Sequence, residues 1–381
     1  MKSRNALADR RRWLVGLFPE LLGIGGVQEA GRLTAAALQR IAAQRGWATD
    51  FLSLNDPTGL SSFEFDGNSV SFRGFGRTKT KFVLDAVRRA RSLPRGGKHF
   101  VIAAHSNLAL PASLMRLNCR GLRTIAVSHG IEVWQPLPYF RRRAIAGAHI
   151  ALAPSSFSAQ KLKDVQRVPP QKIRRLPWPI SPAFLRMAET PSALPCPAGF
   201  SRRPAILTVG RWSASERYKG ADELIGAVAQ LSGEFPDLSL VAVGGGDDLP
   251  RLRKLAEESG ASSRIHFLEN LSREEIAGCY AHADVFALPS SGEGFGIVFL
   301  EAMAFAKPVV AAASGGATDV VEDDVNGLLV PPRDSKQLAC ALRRLLSDAA
   351  LRERLGRKGR EIVTEKYSFE GFERALGALL E

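Results

Sequence analysis

Two glutamates, Glu293 and Glu301, flank a glycine-rich stretch in the segment Leu288-Pro289-Ser290-Ser291-Gly292-Glu293-Gly294-Phe295-Gly296-Ile297-Val298-Phe299-Leu300-Glu301-Ala302. The order reads as strand end, tight turn and helix start. Glycines at 292, 294 and 296 allow a ligand to approach the main chain closely. The open N–H groups of a first helical turn sit at the positive end of the helix dipole and favour phosphate or polar hydroxyls. With one carboxylate in the turn and the other about one turn into the helix, both can face one ligand from different levels. A structural loop with a capping glutamate would account for only part of this pattern.

Two cations lie nearby in sequence. Arg211 follows an apolar run in Val209-Gly210-Arg211-Trp212, and Lys219 precedes a helical stretch in Tyr218-Lys219-Gly220-Ala221. Facing a diphosphate, such a pair would stabilise the negative charge that develops as a sugar–phosphate bond breaks. That clamp makes a divalent metal unnecessary, so a metal-independent reaction with no cofactor is expected. Asp247-Asp248 and Asp323-Asp324 read as turn residues rather than metal ligands, His266 reads as a strand residue, and 213–217 reads as a polar mobile loop.

In the first half, His129 in Ser128-His129-Gly130-Ile131-Glu132 follows an apolar run directly, as does His105 in Ala104-His105-Ser106-Asn107. A histidine at a strand's carboxyl end can offer its ring or carbonyl to a reacting sugar. Glu132, three residues on from His129, is a candidate contact to a bound substrate. Gly25 and Gly26, in Gly23-Ile24-Gly25-Gly26-Val27-Gln28, lie between the first strand and the first helix. Alone, that loop fits a plain tight turn as well as a phosphate loop, and it is not the dinucleotide fingerprint.

Short apolar runs alternate with helical stretches throughout, the pattern of parallel sheets covered on both faces. Strands are expected near 13–18, 100–104, 124–128 and 150–153, and again near 205–209, 238–243, 264–267, 285–288, 308–312 and 327–330. Helices are expected over 29–45, 81–92 and 156–164, then 221–231, 249–259, 273–281, 297–306, 336–346 and 369–380. Prolines at 177, 179, 182, 191, 195 and 197 mark a linker over 181–200. The length, 381 residues, suits two domains, which are expected to face each other across a cleft.

The four cysteines form no CxxC pair, which argues against a zinc site or disulfide framework and fits a reducing compartment. No apolar run approaches the ~20 residues of a membrane span. The run after Arg10, Arg11 and Arg12 stops at Pro19-Glu20, so it reads as a first strand rather than a signal peptide, and a cytoplasmic chain is expected. Of the net charge of +14, residues 1–180 carry +19 and the remainder −5. Without a basic-aromatic array or recognition helix, nucleic acid is not expected as a partner. An anionic membrane leaflet or a lipid diphosphate is, reached through the basic N-terminal domain.

On the Glu293/Glu301 spacing, the Gly-Phe-Gly-Ile between them and the Arg211/Lys219 pair, the chain resembles the family 4 retaining glycosyltransferases of GT-B fold, similar to bacterial mannosyl- and glucosyltransferases. The resemblance runs nearly end to end and is strongest from 209 to 331. It implies two Rossmann-like doubly wound parallel-sheet domains: 1–180 on the acceptor side and 201–365 binding the nucleotide sugar, with a helix at 366–381 packing back towards the first. It assigns Glu293 to the donor sugar's hydroxyls, Glu301 to the ribose, and the main chain of Phe295, Gly296 and Ile297 to sugar and diphosphate. Gly25 and Gly26 would approach the donor phosphates, and His129 the anomeric carbon. The base would rest on 244–247 and on main-chain groups of the strand that holds Phe267.

The expected activity is transfer of a hexose from a GDP- or UDP-sugar to the hydroxyl of a lipid-linked or surface-polysaccharide acceptor. Retention is implied by the resemblance. No nucleophilic carboxylate stands opposite the clamp, so front-face departure of the diphosphate is expected, with its oxygen taking the acceptor proton. A nucleotide-sugar epimerase of the same fold and a catalytically silent scaffold of polysaccharide assembly are the alternatives. Donor hydrolysis with and without acceptors separates the three.

Overall fold

A computed structural model describes residues 12–381; Arg10 and Arg11 lie outside the described residues. The chain divides into two α/β units, one running to Trp178 and including Phe369–Glu381, the other Pro179–Ser368.

The first unit begins with β1 (Trp13–Phe18), α1 (Gly26–Arg45), β2 (Ala48–Ser53), β3 (Gly59–Phe65) and β4 (Asn68–Gly74). It continues through α2 (Lys79–Ser92), β5 (His99–Ala103), α3 (Ala109–Asn118), β6 (Leu122–Val127), α4 (Tyr139–Gly147), β7 (Ile150–Ala153), α5 (Ser156–Asp164) and β8 (Ile173–Arg175). The sheet order is β3-β4-β2-β1-β5-β6-β7-β8, and every pairing is parallel except the β3–β4 hairpin at one edge. β5 is buried throughout because helices cover both faces of a parallel sheet. Val101 and Ala103 pack with Phe82 of α2 and Met115 of α3, while Ile102, pointing the other way, lines a small apolar cavity with Thr34 of α1.

β2 and the hairpin were not expected. β2 opens on Ala48-Thr49-Asp50, too polar to read as a buried strand, and β3 alternates half-exposed with exposed positions as an edge strand does. The signal present was Asp66-Gly67, both at positive φ, the two-residue turn that closes a hairpin.

In the second unit α6 (Pro182–Glu189) comes first, then β9 (Ala205–Val209), α7 (Ala221–Leu231), β10 (Ser239–Val243), α8 (Leu249–Glu258) and β11 (Ile265–Leu268). After these come α9 (Arg273–His282), β12 (Val285–Leu288), α10 (Ile297–Ala304), β13 (Val309–Ala312), α11 (Ala317–Val320), β14 (Gly327–Val330), α12 (Ser335–Ser347) and α13 (Ala349–Lys366). The sheet order β11-β10-β9-β12-β13-β14 is wholly parallel and reverses direction between β9 and β12. In open α/β sheets such a reversal opens the crevice where ligands bind. Arg211 and Lys219 leave the end of β9, and Glu293 leaves the end of β12.

The stretch 181–200 is not a plain linker. It contains α6, which packs on α9 and α10. Pro182 occupies the first helical turn, where its missing N–H is no loss. The final helix, α14 (Phe369–Ala378), belongs to the first unit. There Gln44 donates to Glu373 at 2.8 Å, Arg45 donates to the Gly377 carbonyl at 3.0 Å, and Phe369 packs on Phe65.

Candidate active site

The loop after β12 is held from both sides. Ser291 N–H donates to the Tyr218 carbonyl at 2.7 Å, Gly316 N–H donates to the Glu293 carbonyl at 2.7 Å, and Ser314 Oγ donates to the Ser291 carbonyl at 2.8 Å. Gly296 closes the turn with φ +92°, and a Cβ there would lie 2.3 Å from the Phe299 ring, so only glycine fits. The Glu293 carboxylate receives the main-chain N–H groups of Phe295 and Gly294 and lies beside Lys219. Burial nevertheless wins, raising the carboxyl above its ordinary range.

Arg211, Lys219 and Glu293 thus come together. Burial holds the Lys219 ammonium below its usual range, with Glu293 opposing and Arg211 reinforcing that shift. Tyr218, between them in charge terms, is pushed up to about 12 by burial and by Glu293, against Arg211. Glu216 joins the group: its carboxylate pairs with Arg211 and lies 3.0 Å from Lys219 Nζ. Glu216 and Tyr218 were not singled out in the sequence, where Glu216 falls in what reads as a mobile loop and Tyr218 directly follows it.

That loop is a 3-10 turn, Ala214–Lys219, with a kink at Glu216. It is ordered by the two aspartates of the next strand end: Asp247 accepts Ala214 N–H at 2.9 Å, and Asp248 binds Arg217 at 3.2 Å and Arg251 at 2.6 Å. Gly244 and Gly246 let the loops interlock, since a Cβ on either would lie about 2 Å from the carbonyl of Gly210 or Trp212 (1.9 and 2.0 Å). These glycines therefore serve loop-to-loop packing that aims Arg211, in addition to whatever they offer a base. Asp324 is likewise engaged, by Arg344 and Arg354, and Asp323 accepts Leu329 N–H.

Glu301, on α10, accepts a 2.7 Å hydrogen bond from the hydroxyl of Tyr280, a residue wholly buried on α9. Tyr280 read as an ordinary helix residue in the sequence. Ile297 begins α10, and Phe295 is buried against Tyr367. Phe267, on β11, carries the Arg253 guanidinium over its ring at 5.0 Å.

In the first unit, the loop after β1 is tied by Asp56, which accepts the N–H groups of Leu21 and Leu22 at 2.7 and 3.1 Å. Arg32 donates to the Leu21 and Gly23 carbonyls. Gly25 has φ +142° and starts α1 without a side-chain cap. A Cβ on Gly26 would meet nothing within 4 Å, so the helix start is open on that side.

His129 is fixed at the end of β6. Its Nε2 lies 2.8 Å from the Ala104 carbonyl, which can only accept, so Nε2 carries a proton and a neutral ring exposes Nδ1 as acceptor. Its ring lies between those of His105, at 5.4 Å, and Trp178, at 5.2 Å. Trp178 had read as the approach to a linker. His105 Nδ1 accepts Asn107 N–H at 3.1 Å. Burial, then the His129 and Arg141 charges, outweigh Glu132 and depress His105 to about 4. Glu132 accepts His129 N–H at 2.7 Å, a structural use that the sequence did not indicate.

Residues 198–362 match the family described as glycosyl transferases group 1, and residues 24–184 match glycosyltransferase family 4. A GDP-mannose-dependent alpha-(1-6)-phosphatidylinositol monomannoside mannosyltransferase of Mycobacterium tuberculosis is 32% identical over 335 residues, covering 82% of this chain and 84% of the relative. A D-inositol 3-phosphate glycosyltransferase of Stackebrandtia nassauensis is 30% identical over 388 residues, covering 91% and 86%. Among solved structures, sucrose-phosphate synthase of Thermosynechococcus elongatus superposes with a TM-score of 0.78 at 24% identity, over 97% of this chain and 98% of that one. Anabaena Alr3699/HepE in complex with UDP and glucose superposes with a TM-score of 0.71 at 19% identity, over 96% and 98%.

Proposed function

This chain belongs to the family 4 glycosyltransferases of GT-B fold, and from that premise we propose that Arg211, Lys219, Glu293 and Glu301 hold the donor of its reaction. The chain is a nucleotide-sugar-dependent hexosyltransferase. The observation that carries the site reading is the meeting of two cations and a partly buried carboxylate at the strand-order reversal of the second unit.

In this reading Arg211 and Lys219 neutralise the diphosphate as it leaves, and the open N–H groups of the α10 start, with Phe295, Gly296 and Ile297, line the sugar and phosphates. Glu293 accepts from sugar hydroxyls. Glu301, oriented by Tyr280, accepts from the ribose, and the β11 main chain near Phe267 takes the base. The first unit contributes the acceptor side: the Gly25-Gly26 loop and His129, with His105 and Glu132 positioning it. Transfer proceeds with retention, the departing diphosphate oxygen taking the acceptor proton, and without a metal.

GDP-mannose is the first donor to test, and a lipid-linked alcohol the first acceptor, because that class of substrate appears in the mycobacterial relative's name. The basic first unit would hold the enzyme at an anionic bilayer near such an acceptor. Lys219→Ala and Glu293→Ala should each lower turnover by ~10²–10³-fold with the fold intact by circular dichroism. Chelator should leave the wild-type rate unchanged. Near-normal turnover in either folded variant contradicts the assignment, and inhibition by chelator that manganese reverses contradicts metal independence.

A further inference from the structure

In the sheet order of the second unit, β10 lies between β9 and β11. Neighbouring strands stand about 4.8 Å apart, so the end of β11 is roughly 10 Å from that of β9, within reach of the base of a nucleotide whose diphosphate sits at the clamp. At that far end the Leu268 carbonyl accepts Gly244 N–H at 2.9 Å, which clasps the β10 loop to the β11 loop. The next residue, Glu269, sets its carboxylate over Gly245. A Cβ on Gly245 would lie 3.7 Å from Glu269 Oε2, and nothing else beyond its chain neighbours would come within 4 Å. An open space thus lies beside exposed main chain, with a carboxylate at its rim.

The carboxylate is held in place. Arg253 of α8 donates to Glu269 Oε1 at 3.3 Å, and the same guanidinium lies over the Phe267 ring at 5.0 Å. A planar guanidinium stacked on an aromatic ring orients the group it pairs with. The other oxygen, Oε2, faces Gly245, and Oε1 keeps a lone pair beside the one that Arg253 uses. Stability does not account for the arrangement: the Arg253 and Glu269 side chains are 50% and 41% exposed, and such ion pairs are worth about 0–1 kcal/mol.

Main-chain groups of β11 both donate and accept, so they suit any base, whereas an ionised carboxylate only accepts. Guanine presents two adjacent donors on one edge, N1–H and the 2-amino group, and a carboxylate accepts both in charge-assisted hydrogen bonds. Uracil presents N3–H between two carbonyl oxygens, whose lone pairs a carboxylate opposes. We infer that Glu269 selects a guanine nucleotide as the donor by accepting the N1–H and 2-amino groups of its base, with Arg253 as the positioning residue. The inference rests on the donor site advanced under Proposed function, and adds the base and the side chain that reads it.

Calorimetric titration of GDP and of UDP into the full chain tests this. The wild-type protein should bind GDP about tenfold or more tightly than UDP, the scale of hydrogen bonds to a charged group. Glu269→Ala should lose about tenfold for GDP and nothing for UDP, since the group that opposes uracil is gone. Glu269→Gln offers one acceptor and one donor, as uracil's edge does, so it should weaken GDP and bind UDP as well as wild type or better. Arg253→Ala should narrow the preference for GDP. Both Glu269 variants should keep the wild-type thermal unfolding, because the side chain is half-exposed.

UDP bound as tightly as GDP by the wild-type chain overturns the inference. So does a Glu269 variant that loses both nucleotides equally, the behaviour of a mere prop for the loop. Lys219→Ala, which should weaken GDP and UDP alike, separates the two readings. Its loss of both nucleotides, with no change in the Glu269 variants, leaves the donor site standing and overturns the base assignment. If neither nucleotide binds the wild-type chain, the donor site falls and the base assignment with it.

Discussion

Glu216 sets its carboxylate against Arg211 and Lys219, the two cations to which the donor diphosphate is assigned. Lys219 is largely withdrawn from solvent, where a cation without an anion is costly, and the carboxylate supplies one in the unliganded enzyme. A diphosphate must then displace Glu216 or share the cations with it. Glu216→Gln should therefore tighten binding of a nucleoside diphosphate by about two- to fivefold, the scale of a partly exposed ion pair, measured by calorimetry. Weaker binding would make Glu216 a prop for the loop rather than a competitor. At this scale the sequence was informative where a residue type is unusual for its place. Arg211, Lys219 and Glu293 stand at strand-to-helix turns whose glycines are visible, and Glu301 lies about one turn into the helix that follows. Glu216, Tyr218 and Tyr280 carry no such mark: Glu216 meets its two cations only through the kinked 3-10 turn, and the tyrosines become informative only through burial or a partner distant in sequence.

Elements place the histidines. His105 lies two residues past β5 and His129 two past β6, and the two rings stack because adjacent parallel strands deliver the loop residues that follow them side by side. Held at about 4, well below the ordinary histidine range, His105 is neutral in the folded protein at neutral pH. An unfolded chain would protonate it near pH 6.5. Above that pH neither state gains a proton there. As pH falls from about 6.5 towards 4, the unfolded state binds the proton and the folded state does not, so stability drops, by about 2–3 kcal/mol in all. His105→Asn keeps an acceptor for Asn107 N–H and should flatten the dependence of the denaturation midpoint on pH in that window. An unchanged slope would place the titration elsewhere.

Buried strands such as β1 and β12 were legible as apolar runs between turns. The β3–β4 hairpin and α6 were not, since an edge strand alternates weakly and a proline at the first turn of a helix looks like a proline in a linker. Strands β2 and β8 and helices α3, α4, α11 and α13 were likewise not expected, and none of the unexpected elements carries a residue of the candidate site. Its location was therefore readable even though the element count was not.

For the whole molecule, the basic half of the chain and the acidic half coincide closely with the two units, apart from the returning α14. Charge thus divides as the proposed labour does, with the membrane-facing surface on the first unit and the donor site in the second. Among the described residues no helix is long and apolar enough to cross a membrane. The family, the fold and hexosyl transfer follow from likeness to known proteins; the donor site rests on the geometry around Lys219.

Titration of GDP-mannose and UDP-glucose into the purified chain, in chelator, tests that site most directly. At least one donor should bind the wild-type protein, and Arg211→Ala and Lys219→Ala should each weaken it by about 10- to 100-fold, the scale of a lost charge-assisted hydrogen bond. A donor that binds all three proteins with the same affinity would contradict the account.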